Sequence, residues 1–271
     1  MKYELDTIPV WDALRADTEC ALCLLERRSR TNALRYFLGP AVMVPEVRVQ
    51  TNERGFAPHN LRLLSKDANK LGLALLTHTR LKGLRAKLAV QAKPAAGEAA
   101  RLAAKTGPMA ALANKSGLRD KVAGLANFIR QQEMHCLIDE KVSDDLARYA
   151  FTLVALWKDD GEFLKAWQTG KGLCLHHAPG VLDMAAEQLD GPRLGAFLIG
   201  FLELQDRNLA RVEHDVLSFT QTFDSTHSHE ITGRTEGALD RALQKTAGEF
   251  PEYVEEAKSR RGPLMGSQSG G

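Results

Sequence analysis

Between residues 61 and 88 the apolar positions Leu61, Leu64, Ala68, Leu71, Leu75, Leu84 and Leu88 recur largely at spacings of three and four. That is the period of one helix face, so the segment is expected to form a single amphipathic helix. Leu194, Phe197, Leu198, Phe201, Leu204, Leu209, Val212, Val216 and Phe219 repeat the habit over 192–220, broken by the polar Gln205. Two further helical runs, 18–38 and 134–157, each carry an Arg-Tyr pair, Arg35-Tyr36 and Arg148-Tyr149. No run alternates apolar and polar residues for more than a few positions, which excludes a sheet and gives an all-α fold. The matching order of these runs predicts two pseudo-repeated helical halves packed together, residues 1–85 and 121–257.

The intervening residues 86–120 are rich in Ala, Lys and Gly, with Pro94 and Pro108 as breakers and Glu98 and Asp120 as the only acids. Alanine-rich sequence without a wide apolar stripe buries little, so this stretch reads as a basic, partly helical, mobile linker. The alternative is a lysine-rich arm that touches an acidic partner or nucleic acid. The Gly- and Ser-rich residues 258–271 read as a disordered tail.

Composition narrows the class. A chain of 271 residues with 44% hydrophobic and 26% charged content can bury a sizeable core without disulfide staples. A formal net charge of +2 gives little reason to expect a broad nucleic-acid footprint. No apolar run reaches membrane-spanning length, and the first residues lack the pattern of a secretory signal. The expectation is a cytoplasmic protein with reduced thiols, no membrane association, and a partner, if any, that is another protein.

The candidate chemistry lies in a pattern that occurs twice. Cys20 and Cys23 are followed by the turn Gly55-Phe56-Ala57-Pro58-His59-Asn60, and Cys136 and Asp139 by Gly172-Leu173-Cys174-Leu175-His176-His177. Residues three apart on a helix face the same way, so each pair can aim two donors at one point. Thr18 is the candidate N-cap of the first helix, and a helix start favours thiolate. Taken half by half, Cys136, Asp139, Cys174 and His177 form one candidate zinc set, while Cys20, Cys23 and His59 form a poorer one. His135 and His176 adjoin the second set as supporting groups, and His227 and His229 form a separate pair in loop-like sequence.

Two other readings stand beside the metal. Buried cysteines act as apolar fillers in a metal-free interaction scaffold, and Cys20 with Cys23 can serve a thiol-redox enzyme or sensor. Redox folds of that kind place a strand before the CxxC helix, and none is predicted here. Phosphate-binding, nucleotide-binding, hydrolase and metalloprotease signatures are all absent, which favours a non-enzymatic role.

Several runs carry a resemblance: Ile8-Pro9-Val10-Trp11-Asp12-Ala13-Leu14, the Cys20 and Cys23 pair, Ala41-Val42-Met43-Val44-Pro45-Glu46-Val47-Arg48, Arg54-Gly55-Phe56, and Leu71-Gly72-Leu73-Ala74-Leu75-Leu76. Gly172-Leu173-Cys174 with His177, Phe223-Asp224 and Ala238-Leu239-Asp240-Arg241-Ala242 continue it. Together they resemble an uncharacterised bacterial family of duplicated all-helical proteins with CxxC and GFCxxH motifs in each half. The resemblance implies a helical fold and ligand positions at Cys20, Cys23, Cys136, Cys174 and His177, but no reaction. The chain departs from that pattern at Ala57, Asn60 and Asp139, and at Ser225, Thr226 and His227.

Overall fold

The computed structural model describes residues 6–105, 115–132, 135–223 and 235–248. Those residues form eleven α-helices and one 3-10 turn, with no strand among them. The protein is therefore all-α, as the periodicity predicts. The chain divides into two compact units. Unit 1 joins the residues up to Arg28 with those from Asp144 onward, and unit 2 comprises Ser29–Ser143. The units thus do not follow the sequence halves.

Unit 1 contains α1 (Thr7–Arg15), the start of α2 (Ala21–Leu38), most of α7 (Leu137–Asp159), α8 (Gly161–Thr169), α9 (Ala178–Gln188), α10 (Gly191–Gln221) and α11 (Ala238–Ala247). Its helix starts are written in short polar side chains that satisfy otherwise unpaired N–H groups. Asp160 accepts from the N–H groups of Glu162 and Phe163 at 3.0 and 3.1 Å, and Asp190 from that of Arg193 at 3.0 Å. The apolar face of α10 then delivers Phe197, Phe201 and Leu204 to the interior. Phe197 sits 5.0 Å from Trp157 and 6.4 Å from Trp167 by ring centroids, while Trp11 meets Phe163 edge-on at 5.1 Å. Such aromatic contacts add to the area they bury and fix how the helices pack. Cys20, Cys23 and Cys174 belong to this same buried cluster.

Unit 2 holds the rest of α2, a 3-10 turn (Pro40–Met43), α3 (Pro45–Glu53), α4 (Pro58–Lys66), α5 (Lys70–Ala103), α6 (Ser116–Gln131) and the start of α7. Phe37 and Phe56 meet at 5.2 Å, with Ala33, Leu64 and Leu76 buried in the same unit. The single helix expected over 61–88 is two helices. Asp67 accepts from the N–H of Asn69, and Asn69 caps α5 by accepting from the N–H of Gly72, both at 2.8 Å. The cap resets the helical phase, which leaves Leu61 and Leu71 exposed and buries Asn60, Leu64 and Leu76 instead.

Helix α5 runs through Pro94 and continues to Ala103, so residues 86–103 are helical. Pro94 removes one backbone donor, a tolerable loss where Val90, whose carbonyl it would have bonded, lies on exposed helix. Residues 116–120 begin α6, while Pro108, the His227 and His229 pair, Ser225, Thr226 and the 258–271 tail lie outside the described residues. Among the described residues no helix is long and apolar enough to cross a membrane.

Candidate metal centre

In unit 1, the start of α2 and the turn before α9 meet. Helix α2 begins at Ala21, so Cys20 lies just before its first turn and Cys23 within it. Thr18, the expected N-cap, stands further out, its hydroxyl accepting from the Cys20 N–H at 3.5 Å. Across from the pair, Gly172 takes a left-handed backbone, φ +72°, which an L side chain resists. Gln205 then fixes the turn by accepting from the Leu173 N–H at 2.7 Å and donating to the Leu173 carbonyl at 2.9 Å. Cys174 and His177 follow, with the His177 N–H donating to the Cys174 carbonyl at 3.2 Å.

Lys245 of α11 ties both sides together. Its ammonium, on a side chain 1% exposed, donates to the Glu19 carbonyl at 2.6 Å and also to the Lys171 carbonyl. Its own carbonyl accepts from the Leu175 N–H at 2.8 Å. One buried side chain therefore positions the backbone just before Cys20 and just before Gly172. Arg211 completes the surround by donating to the Glu19 carboxylate at 2.5 Å.

The result is a compact donor set. Nδ1 of His177 lies 3.7 Å from the Cys20 sulfur, 3.5 Å from that of Cys23 and 3.2 Å from that of Cys174. The Cys23 and Cys174 sulfurs are 3.6 Å apart. All three thiols are 0% exposed and His177 is 6% exposed. The four donor atoms lie within 4.8 Å of one another, an arrangement that can hold a metal ion.

The buried donors shift one another's proton affinities. Burial pushes the Cys20 thiol up, yet hydrogen bonds with Cys174, Cys23 and His177 outweigh it and hold it well below its usual value. The Cys23 thiol is raised, first by its hydrogen bonds with Cys174 and Cys20 and then by burial. Burial pulls His177 down, but its contacts with Cys174, Cys20 and Glu26 push it up to about 11. Glu26 stands behind the ring, its carboxylate 3.3 Å from Nε2, so Nδ1 is the nitrogen left to face the sulfurs.

Unit 2 holds a second cluster of similar residue types. Helix α7 begins at Leu137, so Cys136 lies just before its first turn and Asp139 within it. Gly55, with φ +76°, turns the chain ahead of Ala57 and Asn60, and its carbonyl accepts from the Leu137 N–H at 3.2 Å. Asn60 is fully buried and donates to the Cys136 sulfur at 3.2 Å and to Asp139 at 2.9 Å. The Arg30 guanidinium donates to Asp139 at 2.6 Å and to the Asn60 side-chain carbonyl at 3.0 Å. His59 lies 3.0 Å from the same Asp139 oxygen. Burial raises the Asp139 carboxyl, but Arg30, Asn60, His59 and Cys136 more than reverse this and hold it at about 2.

The grouping by sequence halves is therefore corrected. Cys174 and His177 gather with Cys20 and Cys23, whereas Cys136 and Asp139 gather with His59, Asn60 and Arg30. The physical reason is the crossing of the chain: each ligand pair meets the glycine turn that follows the other pair. His176 stands beside Glu26 and His177, and His135 lies in unit 2, 4.0 Å from Glu140. Sequence reasoning missed Glu26, Arg30, Gln205 and Lys245. Only Gln205 left a signal, as the polar interruption in the apolar stripe of α10.

The chain belongs to a family of unknown function (DUF6062), whose model matches residues 1–253. No curated protein and no solved structure matches it.

Proposed function

Starting from membership of that family, which names no activity, we propose that the chain is a metal-binding protein holding one zinc ion on Cys20, Cys23, Cys174 and His177. Its role is structural or regulatory. The observation that carries this reading is the spacing of the donors, 3.2 to 3.7 Å from sulfur to nitrogen and 3.6 Å between the Cys23 and Cys174 sulfurs. Tetrahedral zinc, with bonds of about 2.3 Å to sulfur and about 2.0–2.1 Å to nitrogen, sets those separations at about 3.5 and about 3.8 Å. Soft thiolates favour zinc over calcium or magnesium. Four protein donors leave no open position for a substrate, which supports a non-enzymatic centre. When bound, the ion would offset most of the thiolate charge and link the start of α2 to the turn before α9.

A thiol-redox role for Cys20 and Cys23 has less support. Reactive thiols are at least partly exposed, and both of these are 0% exposed.

The same proposal accounts for the second cluster. Cys136 and Asp139 straddle the start of α7 as Cys20 and Cys23 straddle that of α2, and Ala57 and Asn60 follow Gly55 as Cys174 and His177 follow Gly172. That correspondence supports a duplication in which each ligand pair serves the turn of the other half. At the second cluster three of four donors are replaced by Asp139, Asn60 and Ala57, and the Arg30 guanidinium supplies the positive charge. The expected stoichiometry is therefore one ion per chain.

Metal analysis of the full chain, purified under reducing conditions, tests this. One equivalent of zinc is expected in the wild type and in Cys136→Ser, with most of it lost in Cys23→Ser and His177→Ala. A reduced chain that takes up no zinc on addition, or a Cys23→Ser variant that keeps a full equivalent, overturns the assignment.

A further inference from the structure

A net charge of +2 argues against nucleic acid only if the charges are evenly spread, and they are not. Residues 70–131, which hold α5 and α6, contain twelve lysines and arginines against two acids. That segment carries +10, so the rest of the chain carries −8. The segment of α5 and α6 thus concentrates positive charge in a chain that is otherwise acidic.

Its surroundings within unit 2 leave that charge available. The first turns of α5 pack against the 3-10 turn, α3 and α4, while its later turns pack along α6. From residue 81 to the end of α5 only Ala95 is buried, and α6 has no buried residue. Lys82, Arg85, Lys87, Lys93, Lys115 and Arg119 are all exposed. None of these six has an acidic partner among the described residues. Both acids of the segment sit late in the array: Glu98 is taken by Arg101 and Lys121, leaving the stretch from Lys82 to Lys93 uncompensated.

We propose that the α5–α6 hairpin binds the phosphate backbone of a nucleic acid without reading its sequence. The shape of the array selects this partner over an acidic protein. At 1.5 Å of rise per residue, the uncompensated stretch from Lys82 to Lys93 spans about 16 Å, the reach of about five nucleotides of one strand at about 3.4 Å each. A rod with unpaired cations along its length matches a linear polyanion whose charge is equally regular. Direct base readout needs side chains presented to a groove, and a hairpin with Phe128 as its one aromatic offers no stacking platform. The binding is accordingly electrostatic and set by counterion release.

The test uses the full chain and a labelled 20-nucleotide probe, as single-stranded DNA, duplex DNA and RNA, across a salt series. With about four phosphates neutralised, affinity is expected to fall by about 10²-fold between 50 and 200 mM salt. The combined variant Lys82→Glu, Arg85→Glu, Lys87→Glu and Lys93→Glu is expected to abolish binding while keeping the wild-type helical circular dichroism. Lys165→Glu, an exposed change in unit 1, is expected to leave binding unchanged. Absence of binding to all three probes at 50 mM salt overturns the proposal, as does binding that survives the fourfold reversal. Polyglutamate that competes as well as the oligonucleotide also overturns it, by making the hairpin a surface for acidic proteins. None of these outcomes depends on whether zinc is bound.

Discussion

Glu26 decides which nitrogen of His177 faces the three sulfurs. With its carboxylate 3.3 Å from Nε2, it favours a proton there and leaves Nδ1 to the cluster. Outer partners of this kind raise the basicity of the ligand and hold its ring, and their loss typically weakens metal affinity by about 10- to 100-fold. Glu26→Gln keeps the size but removes the charge, so zinc affinity measured by competition with a chromogenic chelator is expected to drop within that range. An unchanged affinity rules out this positioning role. The ligand residue types were legible in the sequence, because Cys pairs three apart and a glycine turn with His are local signals. The partition was not. Cys23 and Cys174 are 151 residues apart in the chain, and no local period reports which distant turn a helix start will meet. Glu26 and Lys245 were hidden for the same reason, since each acts on a residue far from it in sequence.

At the scale of the element, the glycine turn is the part that tolerates least. Gly172 combines φ +72° with a Cβ position only 2.2 Å from the Gln205 side-chain oxygen. Gly172→Ala therefore forces a strained backbone and displaces the side chain that clamps Leu173, a loss of about 1–3 kcal/mol for such strain. Thermal unfolding of the zinc-loaded protein should show this as a lowered midpoint, together with weaker zinc retention against chelator. A variant with wild-type midpoint and retention would mean that the turn adapts freely. The helices themselves were largely readable: the apolar stripe of 192–220 gives α10, and its buried faces Phe197, Phe201, Leu204 and Val212 all lie on that stripe. The break between α4 and α5 was not, because Leu64 and Leu71 keep a helical spacing across it. Two short polar side chains, Asp67 and Asn69, outweighed that spacing by capping a new helix.

For the whole molecule, the metal assignment makes the two units unequal. Unit 1 is assembled from both ends of the chain, and its proposed ligands Cys23 and Cys174 enclose all of unit 2 in sequence. A metal bond between them closes a very long loop, and ligand binding stabilises whatever conformation holds it. The cluster of unit 2 is instead held by the Arg30 and Asp139 ion pair at 2.6 Å, which removal of metal leaves intact. Stripping zinc with a strong chelator under reducing conditions should therefore raise amide exchange at the first turn of α2, in the 171–177 turn and in α9. Protection there is expected to fall by about 10-fold or more, the mark of a local unit losing over about 1.4 kcal/mol. Exchange in α4 and at the start of α7 should stay within about 2-fold of the zinc-loaded value. Equal loss of protection in both units would show that the metal holds the chain as one cooperative body. No change in either would remove the ion from the folding of this protein altogether.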